Sequence, residues 1–263
     1  MNEHYYLYAL TRGDFQAGPL GQGVDPRFSV EIVPCKQTSG VASRVGLDQF
    51  DVRKLGHDHT DVDWLSQVAI RHNQIISDAA CRQPLLPLRL GALFHSRLSL
   101  LAKMEQWESV VIDFLDSIGD RQEWAAKIYV DPRHVEENIA AANCVSSPQS
   151  MNAGTGTQYL TQKQNQRRKS SSLKERFQKE VAKIESSLMN QADRYFRSRP
   201  LPANLTGRRE KMLWNSAFLL SRSVSKRWLD LVEKMRNTAA CGGLLLEVSG
   251  PWPPYHFCPT LEA

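Results

Sequence analysis

The sequence predicts an α+β protein of two domains: an N-terminal α+β domain over residues 1–120 and a C-terminal ferredoxin-like (split βαβ) domain over residues 121–263. Three observations carry that prediction. Strand-like runs open the chain and two amphipathic helical stripes follow, an order that suits α+β packing. Beyond Asp120 the pattern reads strand, helix, strand, strand, helix, strand, which is the order of a split βαβ sheet with its helices on one face. A length of 263 residues is enough for two modest domains, each with its own core.

YYLYAL (Tyr5 to Leu10) is rich in strand formers and gives way to the Gly/Pro-bearing loop GDFQAGPLGQGVDP. FSVEIV alternates as a half-buried strand that Pro34 is expected to stop, and SGVASRVGL adds another. Thr60 is placed to cap a helix, with Asp63 three residues on, and Val62, Leu65, Ala69, His72 and Ile76 supply its apolar face. LLPLRLGALF reads as extended, because Pro87 biases its predecessor away from helix. Leu86, Leu88 and Leu90 then point one way and Arg89 the other. Leu98, Leu101, Met104, Trp107 or Val111, Leu115 and Ile118 make an amphipathic helix that Gly119 ends.

EWAAKIYV opens the second block as a strand. A polar loop near 143–170 follows, containing NCVSSPQSMNAGTGTQ and the basic QNQRRKSSS. A long helix then carries Leu173, Phe177, Val181, Ile184, Leu188, Ala192 and Tyr195 on one face and closes at Arg199-Pro200. LPANLTG and WNSAFLLSRS read as strands; Val224, Trp228, Leu231 and Met235 mark a short helix; Leu244, Leu246 and Val248 share one face of a last strand. The chain nearly ends on SGPWPPYHF, a Pro/aromatic C-terminal arm. Pro251, Pro253 and Pro254 lack a backbone donor, so the strand is expected to stop there and the arm to leave it stiff and extended. Trp252, Tyr255 and Phe257 have two readings: packing back onto the chain, or a surface for a partner.

Composition excludes little but narrows the field. Thirty-three cations against 28 acids leave a formal charge of +5, a surplus that permits nucleic acid or anionic membrane without implying either. The 5 cysteines are scattered with no C-x-x-C pair, so neither a disulfide framework nor a zinc ribbon is indicated. MNEHYYLYAL has no basic n-region or long apolar h-region, no stretch is apolar over the roughly 18 residues a span needs, and a reducing cytosol is the expected compartment.

The motifs that carry chemistry are missing. GPLGQG lacks the dinucleotide-binding order, no phosphate-binding P-loop occurs, and GTGT near Gly154 reads as linker. His57 and His59 alternate in HDH but have no further ligands at metal spacing, so they read as a solvated loop. His72, on an apolar helical face, reads as a structural histidine with a satisfied nitrogen. No serine or cysteine has an activating context. The expectation is therefore no enzyme, with no catalytic residue, no cofactor and no metal. The cation that stands out is Arg89, between two inward leucines, and a candidate ion pair with Glu123 would join the two blocks.

Several of these strings are familiar together. YLYAL, WLSQVAIRHNQII leading into PLLPLRLGALF, EWAAKIYV, the pair Tyr159-Leu160, AFLLSRS and above all LLLEVSGPWPPYHF resemble the gas vesicle proteins of the L/F family, in order from about Tyr5 to Phe257. Arg89, Trp252, Pro253, Pro254, Tyr255 and Phe257 are the signature positions and candidate interface residues. The departures are Leu90 where the family usually has Phe, Ala92 where Thr is common, and SSPQSMNAGTG as a lineage-specific insertion. The resemblance implies a two-domain fold and a non-enzymatic assembly factor or minor structural component of gas vesicles. Such a protein would bind the hydrophobic shell protein and limit its aggregation during nucleation. The implied partners are the shell protein and other accessory proteins, at the gas vesicle within the cytoplasm, with no nucleic acid, membrane or small-molecule substrate. The alternative, read from the residues, is a ferredoxin-like nucleic-acid binder using the basic stretch 166–179.

Overall fold

The computed structural model describes residues 3–16, 18–47, 50, 62–131 and 155–261. His57, His59, the Thr60 cap, Cys144 and residues 143–154 of the expected polar loop lie outside them, while residues 155–170 of that loop are instead the start of a long helix. The chain divides into two compact units: residues Met1–Gln122 with Pro251–Ala263, and residues Glu123–Gly250. The C-terminal arm, grouped with the second block on sequence, thus belongs to unit 1.

Unit 1 is built on strands β1 (Glu3–Arg12), β2 (Glu31–Cys35), β3 (Thr38–Gly46), β4 (Leu85–Pro87) and β5 (Leu93–Phe94) with helices α1 (Val62–Ala80) and α2 (Arg97–Ile118). The sheet runs β2-β3-β1-β4, with β5 also on β1; β1 pairs antiparallel with β3, β4 and β5, and β2 pairs antiparallel with β3. Tyr6, Leu7, Tyr8, Ala9 and Leu10 are all buried, because β1 is covered on both faces. Tyr6, Tyr8 and Ala9 share a core with Ile75, Ile76 and Ala79 of α1. On the other face, Leu7 and Met104 of α2 both crowd Gly40. A bulge between Leu7 and Ala9 shifts the alternation, so Tyr8 and Ala9 both serve the α1 side.

Pro34 does not stop its strand: β2 lies at the sheet edge, where a missing N–H costs no ladder bond. The helical faces are rotated from the expected stripes. In α1 the buried set is Val68, His72, Ile75, Ile76 and Ala79, while Val62 is exposed. In α2 it is Leu100, Met104, Val111, Phe114, Leu115 and Ile118, and Leu98 is open to solvent. Ser96 caps α2 by accepting from the Ser99 N–H, and the Ser99 hydroxyl accepts from the Ser96 N–H, a capping box made with serine.

Unit 2 carries β6 (Arg121–Val130), α3 (Thr155–Met189), β7 (Arg194–Ser198), the single turn α4 (Ala203–Thr206), β8 (Lys211–Ser221), α5 (Arg222–Cys241) and β9 (Leu244–Trp252). The sheet order is β7-β8-β6-β9. Phe177, Val181, Ile184 and Leu188 of α3 join Trp228 and Val232 of α5, and Ala126, Ile128, Trp214, Phe218, Leu244 and Leu246 of the strands, in one core. Both helices therefore cover the same face. Trp228 donates its Nε1–H to the Leu188 carbonyl at 3.2 Å, and its ring lies 5.2 Å from that of Phe218.

Three expectations fail here. The long helix ends at Met189 rather than Arg199, and Tyr195 sits on β7. LPANLTG is not a strand but a Pro-capped turn of helix, so the second strand of the unit is RYFRS. The last strand continues through Pro251 and Trp252, since β9 is an edge strand with a side that needs no donors.

Candidate functional site

The site is assembled from the segment that joins β4 to β5. The strand breaks after Pro87, and residues 88–92 loop out before pairing with β1 resumes at Leu93. The Leu88 N–H still donates to the Tyr8 carbonyl, and the Leu7 N–H to the Ala92 carbonyl, so both ends of the excursion are tied to β1. Gly91 turns the chain at a φ of 92°, in the region that favours glycine.

A buried polar clamp grips this excursion from beneath. The Gly91 N–H donates to the Tyr6 hydroxyl at 3.0 Å, and the same hydroxyl is hydrogen-bonded to Nδ1 of His72 at 2.9 Å. The imidazole also hydrogen-bonds the Leu88 backbone. One tyrosine and one histidine thus hold both ends of Leu88–Gly91. Burial keeps the imidazole neutral by lowering its pKa to about 4, opposed in part by the Leu88 bond. Burial raises the Tyr6 hydroxyl well above the ordinary tyrosine value, with the Gly91 bond opposing. Tyr8, beside Tyr6 at 4.8 Å between rings, binds the Ser43 hydroxyl and the Val24 N–H, and burial pushes it up to about 12.

Above the clamp is a groove of about 550 Å³. Residues 86–94 form one wall, Lys103 and Trp107 of α2 a second, and Tyr255, Cys258 and residues 259–261 of the arm a third. Phe94 and Trp107 meet edge to face at 6.2 Å, and the Lys103 ammonium stands 5.5 Å over the Trp107 ring. Within the arm Phe257, Pro253 and Pro254 are buried, whereas Trp252 and Tyr255 are exposed. The Tyr255 hydroxyl donates to Asn73 Oδ1 of α1 at 2.9 Å, and a turn over Tyr255–Phe257 closes the arm onto unit 1.

Two of the strings singled out in the sequence, PLLPLRLGALF and GPWPPYHF, therefore meet at one groove, with Arg89 and Tyr255 both on its lining. Arg89 is exposed, and it does not lie between two buried leucines, since Leu90 is also exposed. Glu123 is buried in unit 2. Tyr6, Lys103 and the groove role of Trp107 were not legible: Tyr6 and His72 are 66 positions apart, and Trp107 was read as a stripe residue alternative to Val111.

A second groove, about 560 Å³, runs along α3 at Leu173, Phe177 and Val181 in unit 2. Its charges are of both signs, and Glu185 there already binds Tyr195 and Arg197. Among the described residues no group of three or more His, Cys, Asp or Glu is placed to hold a metal ion, and no helix is long and apolar enough to cross a membrane.

Fold and site together define a mixed α/β protein of two antiparallel sheets, carrying a preshaped, cation-lined surface groove. The family described as gas vesicle synthesis protein GvpL/GvpF matches residues 4–259, and the chain belongs to it. Gas vesicle protein L of Streptomyces sp. (strain CB03234) is 27% identical over 263 residues, covering 98% of this chain and 93% of that protein. Gas vesicle protein F of the same strain is 25% identical over 259 residues, covering 96% and 98%. The fold matches the crystal structure of GvpF from Anabaena sp. PCC7120 at a TM-score of 0.70, with 17% identity and coverage of 98% and 97%. GvpF from Microcystis aeruginosa matches at 0.67, with 15% identity and coverage of 98% and 99%. A gas vesicle-related role follows from the family.

Proposed function

We propose that this chain is a non-enzymatic assembly factor or minor structural component of the gas vesicle, acting in the cytoplasm. It binds the hydrophobic shell protein and limits its aggregation while vesicles nucleate. The observation that carries this reading is the groove of unit 1, whose apolar wall is held in shape by Tyr6 and His72 before any partner arrives. A preorganised apolar surface loses little freedom on binding, which is what a protein needs to cover aggregation-prone subunits transiently. Other accessory proteins of the vesicle are the further expected partners. Unit 2 we read as ferredoxin-like: its strands, numbered within the unit, lie in the order 2-3-1-4 with both helices on one face.

The nucleic-acid alternative is not favoured. A split βαβ sheet binds RNA by stacking bases on aromatics of its central strands, on the face away from the helices. Here Trp214 and Phe218 of the central strand β8 point into the helix-covered core, and Tyr129 of β6 is buried with Arg208 stacked over it at 4.5 Å.

The test is refolding of purified shell subunits, followed by light scattering with and without this chain, together with co-purification of the two. Suppressed scattering and a stable complex are expected. Unchanged aggregation and no complex would sink the proposal.

A further inference from the structure

The groove in unit 1 has a composition that points to its occupant. Its floor and walls are apolar: Leu86 and Pro87 are buried, and Leu93, Phe94 and Trp107 are half-buried. Its charged lining residues are two cations, Arg89 on the excursion and Lys103 on α2, and no carboxylate is among the described residues that line it. Cations on two walls of an apolar trough select an apolar ligand that carries negative charge at its flanks.

The backbone narrows the choice further. A partner strand cannot add to this edge of the sheet in regular register. Pro87 has no N–H to offer, and residues 88–92 bulge out of the strand line between β4 and β5. Recognition must therefore run through side chains. An open trough with exposed Leu90 and Tyr255 on its rim suits a helix laid along it. An isolated fatty chain would leave that rim unused.

We propose that the unit 1 groove docks an amphipathic helix of another protein, with its leucine-like stripe on Trp107, Phe94 and Leu90 and its flanking Asp or Glu side chains on Arg89 and Lys103. This deepens the proposed function and rests on it for the identity of the partner. The clamp has a defined part in it: by tying Gly91 and Leu88 down, Tyr6 and His72 keep Arg89 and Leu90 presented outward.

The test uses the full chain and two synthetic helical peptides of about 15 residues, long enough to hold helix. They share one leucine stripe and differ only in flanks, Glu in one and Lys in the other. Fluorescence anisotropy should show the Glu peptide binding roughly tenfold tighter than the Lys peptide, with a gap that narrows as salt rises. The double variant Arg89→Glu, Lys103→Glu should reverse the preference. The milder Arg89→Gln, Lys103→Gln pair should abolish it while circular dichroism and melting match the parent. Trp107→Ala should weaken both peptides alike. Equal binding of the two peptides, a preference that survives both double variants, or displacement of the Glu peptide by decanoate at comparable affinity would overturn the proposal. The two readings fail separately. Shell subunits captured undiminished by the Glu double variant would sink the groove and leave the assembly role. A Glu-peptide preference in a chain that ignores shell subunits would do the reverse.

Discussion

The two units bury their aromatic residues in different ways. In unit 2, Trp214, Phe218 and Trp228 pack as a contiguous ring cluster beneath two helices, with centroids 5.9 Å and 5.2 Å apart for successive pairs. The stabilisation there is chiefly apolar area and ring contact. In unit 1, Tyr6, Tyr8 and His72 are as deeply buried, but each is also tied by hydrogen bonds to a backbone or side chain far away in sequence. Asp25 is a further example. Burial alone would raise its carboxyl, yet hydrogen bonds from Arg27 and the Gly46 N–H outweigh that and hold it below the ordinary value. A core of the first kind tolerates repacking. A core of the second kind sets positions, and in this molecule what it positions is the turn at the groove.

The largest effect should come from breaking the ring cluster. Trp228→Ala removes a fully buried ring and the bond to Leu188, and should cost about 3–5 kcal/mol in urea denaturation. A loss under about 1 kcal/mol would mean that the cluster does not anchor unit 2.

Acid should act on unit 1 next. The His72 pKa is lowered on folding, so between pH ~6.5 and about 4 the unfolded chain binds a proton that the folded one does not. Stability therefore rises with pH in that window and is lost as pH falls through it, by about 3 kcal/mol in all for this group. An NMR titration should find the His72 ring neutral down to about pH 4; a ring that protonates near pH 6.5 would remove the clamp from the account.

Gly40→Ala probes the α2 side of the same sheet. The added methyl would sit 2.9 Å from Leu7 Cδ1 and 3.1 Å from Met104 Sδ. Both are flexible side-chain ends, so a cost of about 1–3 kcal/mol is expected by thermal melting, and a neutral result would show that this layer has room.

How far sequence reached differs between the units for the same reason. In unit 2 the stripe at Trp228 and the alternation of Leu244 and Leu246 were readable, because one-sided burial leaves a period in the chain, whereas WNSAFLLSRS, buried without a break from Ser216 to Leu220, was readable only as a strand-forming run. Tyr195 misled because its spacing from Leu188 and Ala192 continues a helical stripe. After Met189 the chain turns and β7 delivers Tyr195 to the same core by another route. LPANLTG misled because one turn of helix is too short to show a period, and Leu205 there is exposed. In unit 1, β1 is buried on both faces, so its run of apolar residues shows that it is a strand without showing which residue faces which helix.

Local periodicity was thus enough to place most elements but not β7, the turn α4 or the start of α3, proline misplaced the ends of β2 and β9, and the two unusual strings were enough to suggest the family. The convergence of those strings on one groove came from long-range contact. The Tyr6–His72 bond joins β1 to α1, the Gly91 bond joins β1 to the excursion, and the Tyr255–Asn73 bond joins the arm to α1. Each links residues whose spacing along the chain carries no period. A hydrogen bond between distant side chains leaves no trace in sequence until folding closes the loop between them.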